Sequence, residues 1–440
     1  MRMVRKSDSG VSAQDGAEPM DPFQLHGGFM HCEEVPLALI AREAGTPVYV
    51  YSTAGMQNQA RALKSALAPL GDPLIAYAVK ANPNAAVLAT LAAEGLGADV
   101  VSGGEYRRVR AAGIAAEKIV FSGVGKTDAE MALALGAGLC QFNLESVPEA
   151  DMLSQVAVSM GRTAPIGFRI NPDVAAGSHA KISTGAAHNK FGISIEDALQ
   201  AYARARDLPG LEARGVAVHI GSQLTSLEPL EAAFEKIGEL IRRLRVEGHE
   251  IRTADLGGGL GVAYDPSAPP PPTASDYGKM VSRVAGDWGV RLIFEPGRII
   301  VGNAGVLLTR VIRVKPGPTH PFAILDAAMN DLMRPSLYDA WHAIEAVFPT
   351  GERMIADIVG PICETGDTFA LARTIDRVAG GDLMIIRTAG AYAATMASTY
   401  NSRPLPPEVL VNGSEWAVVR ERQDIEALMR ADKVPAWLGR

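Results

Sequence analysis

From residue 74 onward the chain repeats one pattern eight times: a short apolar run, then a longer Ala- and Leu-rich stretch of helical character. The runs are Leu74 to Val79, Ala98 to Val101, Lys118 to Phe121, Leu139 to Asn143, Pro165 to Ile170, Gly215 to Ile220, Thr253 to Leu256 and Arg291 to Phe294. Strand alternating with helix selects a parallel sheet, since the helix is the crossover that two parallel neighbours need. Eight such units, each strand followed by a helix, close into an α/β fold of the (β/α)8 TIM-type barrel kind, whose working residues sit at the C-terminal ends of the strands. The residues just past the runs include Lys80 with Asn82, Ser122, Glu145, Asn171, Ser222, Gly257-Gly258-Gly259 and Glu295-Pro296-Gly297-Arg298. Turn residues gather there in any barrel. A Lys, two Glu and an Arg on one rim exceed what turns require.

After Arg298 the texture changes to β-branched segments, Val306 to Val314, Phe322 to Leu325, Asp357 to Ile362 and Leu383 to Thr388, which read as a second, mostly antiparallel β domain. The expected division is a disordered leader over 1–20, a segment over 21–53 that joins the β domain, the barrel over 54–300 and the C-terminal β domain over 301–440. Asp265 to Tyr277 carries five prolines in 13 residues and reads as a surface loop.

A chain of 440 residues exceeds what one core accommodates, and its net charge of -7, without a block of Lys or Arg, argues against nucleic acid and for a small-molecule partner. Three scattered cysteines, Cys32, Cys140 and Cys363, offer neither a disulfide framework nor a zinc site, so no metal is expected and a reducing cytoplasm fits. No apolar run approaches the roughly 20 residues that span a bilayer, so no membrane partner is expected.

Lys80 leaves a buried strand into a turn of Asn and Pro. Desolvation lowers the pKa of such an amine and makes it a candidate Schiff-base nucleophile; the alternative is a surface lysine whose stem covers apolar area. Gly257-Gly258-Gly259 follows a strand and lets backbone N–H groups approach a phosphate, or makes only a tight turn. His219 at a strand end is a core histidine or a ring that stacks on a flat ligand, with Ser222 offering a hydroxyl to a phosphate. Glu295 pairs either with Arg298 or with the protonated ring nitrogen that pyridoxal phosphate needs as an electron sink. Cys363, flanked by Glu364 and Asp367, has neighbours that disfavour the thiolate, which suits a thiol that gives up a proton. Cys140 reads as a small core residue.

Together, Tyr77-Ala78-Val79-Lys80-Ala81-Asn82, His219-Ile220-Gly221-Ser222-Gln223, Gly257-Gly258-Gly259, Glu295-Pro296-Gly297-Arg298, Cys363-Glu364-Thr365-Gly366-Asp367 and Gly390-Ala391-Tyr392 resemble the fold-type III pyridoxal-phosphate decarboxylases, and among them the branch that acts on meso-diaminopimelate. The resemblance runs from about Gly28 to Val419 and implies an alanine-racemase-like fold. It implies that Lys80 anchors pyridoxal 5'-phosphate and His219 stacks on its ring. Ser222, Gly257, Gly258, Gly259, Pro296, Gly297, Arg298 and Tyr392 would bind the cofactor, with Glu295 on the pyridine nitrogen. Arg298, Arg334, Tyr338, Glu364 and Tyr392 would bind substrate. Cys363 would return a proton to Cα from the partner subunit, so a head-to-tail homodimer with shared sites is implied.

The far end of diaminopimelate is itself an amino acid and needs cations for its carboxylate, whereas ornithine or lysine offers only an ammonium there. Arg298 and Arg334 favour the former, with Arg334 and Tyr338 four apart on one helical face behind Pro335. Ala393 stands where the family usually has glycine, a strain if that position requires positive φ. A racemase on the same barrel, or a cofactor carrier without catalysis, are the competing readings.

Overall fold

A computed structural model describes residues 21–175 and 190–439, and the leader expected over 1–20 lies outside them. Eight parallel strands form the barrel: Leu74–Ala78, Gly97–Val100, Ile119–Phe121, Gln141–Leu144, Ala164–Asn171, Leu211–Val218, Thr253–Asp255 and Arg291–Phe294. Each pairs with the next in sequence, and the eighth pairs with the first through Ile293 and Leu74, so the sheet closes. Every run expected from the sequence became a strand, with boundaries moved by a few residues.

One detail of the expected pattern changes. The eighth strand is followed by only a four-residue helix, Arg298–Val301. The outer position beside it belongs to the helix Thr53–Leu67, which precedes the first strand and packs between Ala274–Ala285 and Ala85–Ala93. Ser52 caps that helix by accepting from the Gly55 N–H. The proline-rich stretch also ends earlier than expected. Thr273 and Asp276 form a capping box, so the chain turns helical at Ala274.

The second domain is a mixed sheet in the order Thr368–Asp376, Arg353–Val359, Phe322–Leu325, Gly305–Lys315, Val48–Ser52, Glu408–Asn412 and Glu415–Arg420, with Leu383–Ile386 also on Gly305–Lys315. Its pairings are antiparallel except between Phe322–Leu325 and Arg353–Val359 and between Val48–Ser52 and Glu408–Asn412. Val48-Tyr49-Val50-Tyr51-Ser52 is buried along its whole length, as its β-branched and aromatic residues suit a strand covered on both faces. It places a segment from before the barrel in the middle of a sheet otherwise made after it.

The two domains are joined at the barrel's C-terminal rim. Asn82 Nδ2 donates to the Gly390 carbonyl at 3.1 Å, the Tyr392 N–H donates to Ala81 at 2.8 Å, and Asn84 and Tyr51 both donate to the buried Glu408. Ala393 lies at φ -119, so this position does not require the positive φ that would favour glycine; its neighbour Tyr392 occupies the left-handed region at φ 54. Among the described residues no helix is long and apolar enough to cross a membrane, and no group of His, Cys, Asp or Glu is arranged to hold a metal.

Candidate active site

The rim at the C-terminal ends of the strands opens into a cavity of about 390 Å³ lined by Lys80, Ser122, Asn143, Arg169, His219 and Glu295. That size is within the range of small-molecule sites. A narrower recess adjoins it, sharing Lys80 and His219 and continuing along Ser222, Gly257 to Gly259, Pro296 to Arg298 and Tyr392.

Lys80 sits in the one-turn helix Val79–Ala81 directly after the first strand, and its ammonium donates to Asp99 Oδ2 at 2.7 Å. Burial alone would lower the pKa of this group, but the carboxylates of Asp99 and then Glu295 outweigh it and hold the pKa above its ordinary value. The desolvated, easily deprotonated amine expected from the sequence is therefore corrected: in this chain Lys80 is held as an ammonium. The reason is Asp99, wholly buried in the second strand.

Glu295 does not pair with Arg298. Its Oε1 accepts from Ser122 Oγ at 3.1 Å, and Asn143 Nδ2 lies 3.4 Å away while donating to Asp255 Oδ2 at 2.8 Å. Burial pushes the Glu295 carboxyl well above its usual range, and the charges of Asp255 and Asp99 add to that. Asp255, also buried, is pushed up to about 6 despite hydrogen bonds from Asn143 and the Gly257 N–H. A proton is thus held at the Glu295–Asp255 pair.

His219 accepts from the Gly258 N–H at Nδ1, 3.2 Å away. Burial first, then the cations Arg169 and Lys80, push its pKa well below the ordinary value, so it presents a neutral ring to the cavity. The glycine run is a backbone requirement. A Cβ at Gly258 would stand 2.1 Å from the Glu295 carbonyl, and Gly259, at φ +113, would put one 2.6 Å from the Gly221 carbonyl. Backbone rather than side chains therefore floors the recess.

Arg298 turns away from the carboxyls. It donates to Ser222 Oγ at 3.2 Å and to the Tyr264 hydroxyl, and its guanidinium lies 4.7 Å from the Tyr392 ring centre. Arg334 opens the helix Arg334–Tyr338 and is buried beside Tyr264, so the structure brings the two arginines together. Cys363 and Glu364 lie elsewhere: both are exposed, and neither lines the two recesses. Their loop is fixed by Ser336 Oγ donating to the Gly366 carbonyl at 2.5 Å and by Asp367 accepting from the Ile362 and Met329 N–H groups. Glu364 accepts from the Tyr400 hydroxyl at 3.0 Å. Glu145, on the same rim, is committed to Arg169 and the Gly192 N–H and does not enter the cavity. Cys140 is buried in a small apolar cluster with Leu74, Ala76, Val120 and Ile293.

An amine, a proton-bearing acid pair, a flat neutral ring and a backbone-lined anion recess fit pyridoxal phosphate, and the buried Arg298 Nε without a hydrogen-bond partner adds an unmet donor beside them. Fold and site together define a pyridoxal-phosphate enzyme of the barrel-plus-β-domain type. Residues 54–302 match the family described as pyridoxal-dependent decarboxylase, pyridoxal binding domain. A diaminopimelate decarboxylase of Zymomonas mobilis is 56% identical over 421 residues, 95% of this chain and 100% of the relative, and one from Neisseria meningitidis serogroup A is 49% identical over 91% and 98%. The crystal structure of diaminopimelate decarboxylase from M. jannaschii in complex with L-lysine superposes with a TM-score of 0.91 at 35% identity, covering 95% of this chain and 99% of that one. The chain belongs to the diaminopimelate decarboxylase family.

Proposed function

We propose that this chain decarboxylates meso-diaminopimelate at its D-centre to give L-lysine and carbon dioxide, the last step of lysine synthesis, in the cytoplasm. The observation that carries the reading is the Arg298–Arg334 pair: two buried cations that, among the described residues, have no carboxylate within ion-pair distance, with Arg298 lining the lysine-bearing recess and Arg334 behind it across Tyr264. A diamine-forming substrate has nothing for such a pair to bind.

Bound pyridoxal phosphate supplies the electron sink for the pair released when the carboxylate leaves. Lys80 anchors it and Glu295 holds a proton at the ring nitrogen. His219 covers a ring face; Ser222, the glycine run, Pro296, Gly297 and Tyr392 bind the phosphate end. Arg298, Arg334 and Tyr338 bind the far carboxylate of the substrate. Cys363 and Glu364 are assigned to the neighbouring site of a homodimer, where the Cys363 thiol returns a proton to Cα and Glu364 binds the far ammonium. The exposure of both residues, away from their own chain's cavity, supports that assignment.

The test is carbon dioxide release from diaminopimelate, lysine, ornithine and arginine. Release from diaminopimelate alone is expected; a preference for lysine or ornithine overturns the substrate, and turnover without carbon dioxide overturns the reaction.

A further inference from the structure

Arg298 and Arg334 carry like charges in one small space, and something must keep them together before any substrate arrives. Arg334 is 5% exposed and Arg298 6%, and the Nε of each is buried without a partner. Two neutral residues stand between and behind them. The Tyr264 ring centre is 4.3 Å from the Arg334 guanidinium carbon, within cation–π range, while its hydroxyl accepts from Arg298. His342 packs edge-on against Tyr264, ring centres 5.0 Å apart at 78°, and is 1% exposed. Its Nδ1 faces the Arg387 carbonyl at 2.8 Å and must donate, so the neutral ring leaves Nε2 as an acceptor, 3.4 Å from Arg334 Nη1.

We propose that Tyr264 and His342 are positioning residues that hold Arg298 and Arg334 as one receptor for the far carboxylate of the substrate, and thereby set the selectivity for substrates that carry it. This rests on the substrate reading above. Tyr264 satisfies both cations without adding a negative charge, and His342 orients Arg334 without competing for it. A carboxylate in either place would neutralise the pair and remove the receptor; an aliphatic residue would leave the arginines to separate.

The holoenzyme variants His342→Phe, His342→Gln, Tyr264→Leu and Tyr264→Phe test this. His342→Phe and Tyr264→Leu should raise KM for diaminopimelate by about tenfold, a loss in the range of one hydrogen bond to a charged group. The change in kcat should stay within about threefold; the inhibition constant of L-lysine, which keeps the far carboxylate, should rise with KM, while that of 1,5-diaminopentane, which lacks it, should stay within about twofold. His342→Gln keeps an acceptor and should recover most of the KM, and Tyr264→Phe, which keeps the ring, should fall between Tyr264→Leu and the parent. A general structural defect would instead move 1,5-diaminopentane inhibition and cofactor occupancy, read from visible absorbance, in parallel with KM. That result, or a KM unchanged in all four variants, overturns the inference. A parent enzyme that releases no carbon dioxide from diaminopimelate overturns the substrate reading instead, a result visible before any variant is made.

Discussion

The Lys80 ammonium and the Asp99 carboxylate lie 2.7 Å apart at the mouth of the barrel, and the acid is wholly buried. Attack on a cofactor aldehyde needs the neutral amine, so Asp99 opposes the first step of cofactor capture while holding the nucleophile in place. Asp99→Asn removes the opposing charge and should let Lys80 lose its proton more easily. The pH profile for pyridoxal-phosphate uptake by apoprotein is expected to move down by about one to three pH units. An unmoved profile would show that Glu295 alone sets the charge state.

The anchoring and proton-returning roles assigned to different subunits can be separated by mixing. Lys80→Ala should lose the visible absorbance of bound cofactor and all turnover, and Cys363→Ala should keep the absorbance while losing activity. Unfolding and refolding the two together should restore activity, to about a quarter of the parent if subunits pair at random, because half the dimers then carry one intact site. No recovery, with subunit exchange demonstrated by mass, would place both residues in one chain's site.

Glu295→Gln removes the proton-holding carboxyl and leaves the Lys80 anchor intact. Cofactor should still bind, while kcat falls by about a hundredfold, the scale of a lost proton-positioning group. Equal kcat would mean that Asp255 suffices.

Burial, with Arg334 second, drives the His342 pKa down to about 3, so the residue stays neutral in the folded chain while an unfolded imidazole takes up its proton near about 6.5. Between those values the unfolded state binds more protons, and stability falls as the pH falls. His219, depressed for the same reason, acts in the same direction. His342→Gln should therefore weaken the acid sensitivity: on going from about pH 7 to about pH 5, about 2 kcal/mol of the parent's loss is absent in the variant. Thermal or urea unfolding at the two pH values checks it, and identical slopes would contradict a neutral buried His342.

The barrel was legible because its strands are apolar runs and its chemistry sits just past them, where Lys80, His219, the glycine run and Glu295 can be found by position alone. Hidden were the polar groups that face into the barrel from within a strand. Asp99, Asn143 and Asp255 each belong to a strand, where a single polar residue reads as an interruption rather than a contributor. Their significance comes from neighbours on other strands: Asn143 reaches Asp255 and Glu295 only because the barrel closes. Tyr264 and His342 were missed for a related reason. An aromatic in a proline-rich loop and a lone histidine in the β domain carry no local sign that two arginines lie against them.

The strand Val48–Ser52 lies between Gly305–Lys315 and Glu408–Asn412 in the finished sheet. During synthesis its second partner emerges about 360 residues after it, roughly 20 to 70 seconds later at ribosomal rates. Throughout that interval a five-residue strand that ends up buried has an unpaired edge, while the barrel between it and its first partner is being made. The first strand of the second domain therefore waits for one near the far end of the chain, and its sheet is completed only after the whole barrel sequence has been made.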